Sequence, residues 1–111
     1  MVARKFPQRG EIWIVTLDPT IGSELQKTRP ALVVSPDSMN RSLGTVTIMP
    51  LTSGSRAAPF RVPLSFAGRN GLLLADQLRT ADHRRMHQCV GVTEPAALKA
   101  ALAVLREMFE E

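Results

Sequence analysis

Short apolar runs, separated by polar segments that contain glycine and proline, make up most of the chain. Val, Ile and Leu fill these runs, and their lengths are those usual for β-strands. The pattern predicts strands at residues 11–17, 31–35, 45–51, 60–64, 72–78 and 87–92. Long helices do not alternate with the runs, so the sequence favours mainly antiparallel strands over a parallel, Rossmann-like sheet.

The first predicted strand is apolar on both of its alternating sides. Ile12 and Ile14 point to one side, and Trp13, Val15 and Leu17 point to the other. A strand of this kind is typical of a position buried on two faces or in a closed barrel. The ring of Trp13, the only tryptophan of the chain, is expected in the core or at a dimer contact.

An amphipathic helix is predicted at the end of the chain, with Thr93 as its cap and Pro95 in its first turn. Its apolar stripe is formed by Leu98, Ala101, Leu102, Leu105, Met108 and Phe109. Residues 37–43 are predicted as a turn or one short helical turn, with Asp37 as candidate cap. The strongest hairpin signal is the run 68–71, because its Asn70-Gly71 pair readily takes positive φ.

Length and charge narrow the class of protein. The 111 residues fit one domain, residues 1–111, which is long enough to bury a core. The net charge is +4, and residues 1–93 carry +6 while residues 94–111 carry −2. Such a basic body favours a polyanionic partner, but charge alone fits a basic protein without a nucleic-acid partner equally well.

Two polar groups stand at the ends of two predicted strands. Arg29 closes a long polar segment, residues 18–28, which is predicted to be a binding flap, and leads into an apolar run. Thr52 and Ser53 follow another apolar run. If these strands are neighbours, Arg29 and Thr52 face one cleft, and a planar guanidinium suits a phosphate. The residues thus point to an anion-binding cleft without fixing a mechanism.

Other reactive side chains give little sign of chemistry. Cys89 has no partner for an internal disulfide and lies in an apolar run, so a core thiol in the reducing cytoplasm is expected. His83 and His87 lack a nearby set of carboxylates or thiolates, so neither a metal site nor a cofactor is predicted. Residues 1–10 contain no apolar stretch, and no run is long enough to span a bilayer, so a membrane partner is not expected.

Six segments occur together in a fixed order and spacing. They read Arg-Gly-Glu-Ile-Trp at 9–13, Leu-Asp-Pro-Thr at 17–20, Gly-Ser-Glu at 22–24, Thr-Arg-Pro-Ala-Leu-Val-Val-Ser-Pro at 28–36, Pro-Leu-Thr-Ser at 50–53 and Leu-Ala-Asp-Gln-Leu-Arg-Thr at 74–80, with Asn40 between the fourth and fifth. With these segments the chain closely resembles the MazF/PemK/Kid family of toxin–antitoxin ribonucleases, over nearly its whole length.

The resemblance implies a fold, an activity and partners. The fold would be mainly β with a C-terminal helix, a small SH3-like antiparallel barrel known as the plasmid-maintenance toxin fold. The activity would be metal-independent cleavage of single-stranded RNA at short sequences, leaving 2′,3′-cyclic phosphate and 5′-hydroxyl ends. The partners would be a second copy of the chain and a cognate antitoxin with an acidic, partly disordered tail.

The resemblance also implies roles for particular residues. In the MazF branch, the catalytic arginine and threonine match Arg29 and Thr52, and the arginine is usually assigned proton transfer as well as phosphate stabilisation. RNA-binding positions match or adjoin Glu24, Lys27, Thr28, Ser53, Asp76 and Gln77. The PemK/Kid branch has a catalytic arginine two residues before the aspartate, where this chain has Leu74, so the MazF-type pair is favoured.

A different class of function is compatible with the same fold. A toxin that poisons DNA gyrase, or a nucleic-acid-binding adaptor, would share the barrel without cutting RNA. Arg29 and Thr52 favour the ribonuclease over the gyrase poison, since a gyrase poison has no need of that pair. Incubation with single-stranded RNA in excess EDTA is the experiment that distinguishes them.

Overall fold

The computed structural model describes residues 6–18, 22, 24 and 27–111. Its strands are β1 (Glu11–Thr16), β2 (Thr28–Val33), β3 (Thr45–Thr52), β4 (Arg61–Phe66), β5 (Arg69–Leu74), β6 (Arg79–Asp82) and β7 (Met86–Val92). Its helices are α1 (Asp37–Ser42) and α2 (Pro95–Met108), and 3-10 turns cover Ala75–Gln77 and His83–Arg85. Within the described ranges, neither helix has the length and apolar character that crossing a bilayer requires.

The strands form one antiparallel sheet that curls back on itself. Hydrogen-bonded neighbours follow the order β4-β5-β3-β2-β1-β7, and β6 pairs with β3 away from this path. The two ends of the path approach each other where the ring of Phe66 in β4 lies against the backbone of β7, since a β-carbon added at Gly91 would lie 3.0 Å from Phe66 Cε1. The prediction of a mainly β, barrel-like fold with a C-terminal helix is confirmed, although the backbone pairing of the described strands does not close the ring.

Hydrophobic side chains pack on both faces of the central strands. Leu32 of β2 joins the cluster that faces α2, whereas Ala31 and Val33 join a second cluster on the opposite face. All three residues are fully buried. On β1, Ile12 and Val15 divide between the clusters in the same way, so the expected burial on two faces is correct. Trp13 is partly buried and packs against the second cluster.

Helix α2 covers the first cluster with Ala101 at the centre of its contact, and Leu98, Leu102 and Leu105 pack around it. The predicted cap is wrong by one residue. Glu94 occupies the cap position without a side-chain hydrogen bond, and Pro95 is the first helical residue. The backbone N–H of Thr93 instead donates to the Gly10 carbonyl at 2.8 Å, which extends the contact between the end of β7 and the start of β1.

The hairpin between β4 and β5 turns earlier than the sequence suggests. Phe66 pairs with Arg69, so the turn residues are Ala67 and Gly68, and both have positive φ. Asn70 and Gly71 lie in β5 instead of the turn. The hydrophobic alternation of the two strands fixes the register, and this register overrides the local preference of Asn-Gly for a turn.

The predicted strand 72–78 is interrupted. Strand β5 ends at Leu74, and a 3-10 turn follows in which the Leu78 N–H donates to the Ala75 carbonyl at 3.1 Å. Strand β6 then begins at Arg79 and leaves β5 to pair with the other end of β3. The interruption places Asp76 and Gln77 on a turn between two strands. Residues 81–86 contain the end of β6, the second 3-10 turn and the first residue of β7.

Candidate active site

Arg29 and Thr52 line the same pocket, a cavity of about 340 Å³. Arg29 is the second residue of β2, partly buried, and pairs with Val15 of β1. Strand β2 therefore begins three residues earlier than the predicted strand 31–35. Thr52 is the last residue of β3, and it is buried while its Oγ1 accepts a hydrogen bond from the Gly54 N–H at 3.2 Å.

The pairing of β2 with β3 explains why these two side chains meet. The strands are antiparallel, and Ala31 pairs with Pro50. Arg29 lies two residues before Ala31 and Thr52 lies two residues after Pro50, so this register, continued past the last paired residues, places them opposite each other. Because side chains alternate along a strand, both fall on the face that Ala31 and Pro50 share.

Three further residues of this pocket are missed by the sequence analysis. Phe66, Arg69 and Asn70 line it together with Arg29, Thr52 and the predicted Ser53. Arg69 supplies a second cation, and the Oδ1 of Asn70 accepts a hydrogen bond from Ser65 Oγ at 2.6 Å. The sequence pattern does single out Arg69 and Asn70, but as part of a turn, so it does not place them at the site. The register of β4 with β5 shows instead that both residues lie in a strand.

A second pocket, of about 160 Å³, contains three of the other predicted RNA-binding residues. Glu24, Asp76 and Gln77 line it, next to Pro50 and Arg79. Pro50 lines the second pocket, and Thr52, two residues further along β3 and on the same face, lines the first, so the two cavities adjoin on β3. The structure thus divides six of the eight predicted site residues between two adjacent cavities.

Lys27 and Thr28 lie outside both pockets. Lys27 is exposed with positive φ, and its N–H donates to Asp18 Oδ1 at 2.9 Å. Thr28 is exposed and pairs with Thr16 of β1. Most of the predicted binding flap, at residues 19–21, 23, 25 and 26, lies outside the described residues. A role of Lys27 and Thr28 in RNA binding remains a prediction.

Arg61 pairs with Asp76, one of the charged residues that line the second pocket. Its guanidinium donates two hydrogen bonds to the carboxylate of Asp76, and these raise the pKa of Arg61. At the opposite end of β3, Arg84 holds Asp82. The side-chain hydrogen bond from Arg84, together with one from its backbone, lowers the pKa of Asp82 from 3.8 to about 2.

Histidine and cysteine side chains lie elsewhere. His87 is exposed, and its Nε2 contacts Thr16 Oγ1. The Nε2 of His83 is buried without a hydrogen-bond partner among the described residues. In the same residues, no three His, Cys, Asp or Glu side chains converge as a metal site. Cys89 is exposed on β7, so its predicted place in the core is wrong.

Comparison with known proteins gives consistent matches. The family model described as PemK-like, MazF-like toxin of type II toxin–antitoxin system matches residues 8–109. Endoribonuclease PemK of Escherichia coli is 46% identical over 80 residues, which are 68% of this chain and 60% of that protein. Endoribonuclease toxin MazF of Escherichia coli strain K12 is 42% identical over 80 residues, which are 72% of each chain.

Solved structures agree with these relatives. MazF of Deinococcus radiodurans superposes with a TM-score of 0.85 at 29% identity, over 97% of this chain and 100% of that one. A MazE–MazF complex from the same organism contains a chain that matches with a TM-score of 0.77 at 26% identity, over 96% of this chain and 98% of that one.

Proposed function

Because the chain belongs to the family of PemK-like, MazF-like toxins of type II toxin–antitoxin systems, it is a toxin with endoribonuclease activity, and we propose that it cuts single-stranded RNA at the pocket of Arg29 and Thr52. The reaction is metal-independent attack by the RNA's own 2′-hydroxyl. The observation that carries the proposal is the convergence of a guanidinium and a hydroxyl in one pocket of a basic protein.

The chemistry needs few protein groups because RNA supplies the nucleophile. The 2′-oxygen forms a bond to the adjacent phosphorus and loses its proton, while the bond from phosphorus to the 5′-oxygen breaks and that oxygen gains a proton. The products are a 2′,3′-cyclic phosphate and a 5′-hydroxyl. Negative charge grows on the non-bridging phosphate oxygens during this step, and donors placed in advance stabilise it.

Arg29 and Thr52 are assigned to that growing charge. A guanidinium keeps its protons at neutral pH and offers a fork of donors that matches two phosphate oxygens. Thr52 adds a hydroxyl donor whose place is fixed by its burial and by its contact with Gly54. Loss of one such donor typically costs about 3 kcal/mol of transition-state stabilisation. Arg69, at the rim of the pocket, is assigned to the phosphate of a flanking nucleotide.

The testing experiment compares two arginine variants in excess EDTA. Purified protein is incubated with a long single-stranded RNA, and the ends of the fragments are analysed. Wild type and Arg84→Ala, which removes an exposed arginine away from both pockets, are expected to give discrete fragments with cyclic-phosphate ends. Arg29→Ala is expected to leave the RNA intact and the fold unchanged.

Three results would contradict the proposal. RNA left intact by the wild type, together with stalled gyrase, would identify a gyrase poison of the same fold. Near-native cleavage by Arg29→Ala would remove that residue from the mechanism. Activity that disappears in EDTA and returns with a divalent metal would replace the metal-free mechanism.

A homodimer and an acidic antitoxin segment are the proposed partners, and the cytoplasm is the proposed location. Apolar side chains of α1 and of the end of α2 are exposed around a cavity of about 580 Å³, as expected of a surface covered by a second copy. Their most exposed members are Phe109 at 73% and Met39 at 45%. Sedimentation as a monomer at micromolar concentration would contradict the dimer, and salt-insensitive binding of an acidic peptide would contradict an electrostatic antitoxin groove.

A further inference from the structure

Arg61, the first residue of β4, uses three of its donor nitrogens at once. Its Nε donates to Asp76 Oδ1 at 3.2 Å, and its Nη2 donates to Asp76 Oδ2 at 3.1 Å. Its Nη1 donates to the backbone carbonyl of Arg56 at 3.1 Å. Two parallel bonds to one carboxylate fix both position and orientation, and the third bond adds a second attachment point.

These bonds connect segments that belong to different pockets. Arg56 lies in the segment 53–60, which begins immediately after Thr52. Asp76 lies on the 3-10 turn and lines the second pocket beside Gln77. Backbone bonds support the same junction, since the Arg61 N–H donates to the Ala58 carbonyl and the Ala75 N–H donates to the Phe60 carbonyl, each at 3.2 Å.

The pair is better suited to fixing geometry than to supplying stability. The side chain of Arg61 is 22% exposed and that of Asp76 is 42% exposed. Ion pairs this close to solvent contribute little to the free energy of unfolding. The side-chain hydrogen bonds nevertheless raise the pKa of Arg61, as expected for a guanidinium held against a carboxylate. Arg61 lines neither pocket, so any effect on RNA must act through Asp76 and the segment 53–60.

We propose that Arg61 is a positioning residue for RNA recognition, which fastens the segment after Thr52 to the turn of Asp76 and Gln77. It thereby holds the two adjoining pockets at a fixed separation, so that one RNA strand enters both. Arg61 also neutralises the carboxylate of Asp76, which would otherwise repel the phosphates of that strand. This inference rests on the proposed function, because it assigns the second pocket to nucleotides next to the cut.

The test compares Arg61→Ala and Arg61→Lys with Arg84→Ala. Arg84 makes the matched control, since it also pairs with an aspartate but lies 90% exposed at the other end of β3. KM and kcat are measured on one RNA, and cleavage sites are mapped by sequencing 5′ ends over a pool of RNAs. Arg61→Ala is expected to raise KM roughly tenfold, the scale for losing a group that orients a binding residue, and to accept more sequences. Because a contact of this kind binds the substrate and the transition state equally well, its loss leaves kcat nearly unchanged.

The lysine variant separates charge from geometry. An ammonium can pair with Asp76 but cannot also reproduce the planar fork and the bond to the Arg56 carbonyl. Arg61→Lys is therefore expected to recover part of the affinity while its cleavage sites stay as broad as those of Arg61→Ala. Full recovery of both would show that charge alone acts, which would overturn the positioning role.

Amide hydrogen exchange makes the inference testable apart from catalysis. Residues 53–60 and 75–77 are expected to exchange faster in Arg61→Ala, while α2 exchanges as in wild type. A wild type that cuts no RNA would contradict the proposed function, and the exchange result would still decide whether the junction exists. Unchanged exchange, or a cleavage profile identical to that of Arg84→Ala while wild type cuts, would overturn the inference.

Discussion

Gly71 of β5 lies so close to Thr52 of β3 that a β-carbon added at Gly71 would stand 3.1 Å from the Thr52 carbonyl oxygen. The same β-carbon would stand 3.0 Å from Leu51 Cδ1. Distances this short require the neighbours to give way slightly, and one of these neighbours carries the hydroxyl proposed to act in catalysis. The backbone of β5 thus forms a close wall behind Thr52, and a side chain at this position would crowd the end of β3.

Gly71→Ala is expected to lower both stability and activity. An extra methyl in a packed position costs typically about 1–3 kcal/mol, and here it displaces the end of β3 with Thr52. Gly44→Ala is the matched control, since nothing lies within 4 Å of a β-carbon at Gly44. Urea unfolding and cleavage rates measure the two effects. A Gly71→Ala protein as stable and active as Gly44→Ala would show that β5 yields without disturbing Thr52.

The sequence predicts the strands around Arg29 and Thr52 better than the hairpin beside them. Strongly apolar runs identify β1, β2 and β3, and the run of β1, apolar on both alternating sides, predicts that this strand is buried on two faces. Residues 69–71 carry a local turn preference instead, and the pairing of Phe66 with Arg69 overrides it. Register depends on contacts that are distant in sequence, so local propensity could not place Arg69 and Asn70 in the pocket.

The same limit explains the errors at the helix cap and at Cys89. Thr93 is the predicted cap, but its backbone N–H pairs with the Gly10 carbonyl, a residue distant in sequence, and Glu94 takes the cap position before Pro95. Cys89 lies among apolar neighbours in sequence, yet it is exposed on β7, a strand at the end of the sheet path. An apolar run reveals a strand but not whether that strand has neighbours on both sides.

A buried polar network holds α1 on the sheet. Asn40 is fully buried, its Oδ1 accepts from Ser35 Oγ at 2.5 Å, and its Nδ2 donates to the Ser35 carbonyl at 3.0 Å. The Thr47 N–H donates in turn to Ser35 Oγ at 2.9 Å. The side chain of Asn40 thus links the helix to β3 through Ser35.

Asn40→Ala is expected to reduce the free energy of unfolding by about 1–3 kcal/mol, because it leaves buried groups of Ser35 without partners. The exposed Ser38, which lies on the same helix, gives the control variant Ser38→Ala. Urea unfolding monitored by the fluorescence of Trp13 measures both proteins. Equal urea midpoints for Asn40→Ala and Ser38→Ala would mean that water takes over the hydrogen bonds of the lost amide.

Asp82 is expected to titrate well below an ordinary aspartate. The hydrogen bonds from Arg84 lower its pKa to about 2 from 3.8, so its contribution to stability is complete above pH 3.8 and is lost as the pH falls towards 2. Carboxyl carbon NMR signals followed from pH 6 to pH 1 measure the pKa directly. In Arg84→Ala the backbone N–H bond remains, so the pKa of Asp82 should return only part of the way to 3.8. A wild-type value of 3.8 would contradict the ion pair.

Thr52→Val tests the proposed hydroxyl donor with little change of shape. The variant replaces the hydroxyl by a methyl group and removes the acceptor of the Gly54 N–H, while the side-chain volume stays nearly constant. Loss of one donor to a developing oxyanion lowers kcat by roughly a hundredfold, so that reduction is expected with Arg29 still in place. Single-turnover cleavage of a short RNA measures the chemical step apart from product release.

Thr52→Ser supplies the control for that prediction, because it keeps the hydroxyl and loses only a methyl group. It should retain most of the wild-type rate, whereas Thr52→Val should not. If both variants were equally slow, the side chain of Thr52 would act by filling space at the end of β3. If both were as fast as wild type, the phosphate would be stabilised by Arg29 and its other neighbours in the pocket, Arg69 among them, and the assignment of Thr52 would be withdrawn.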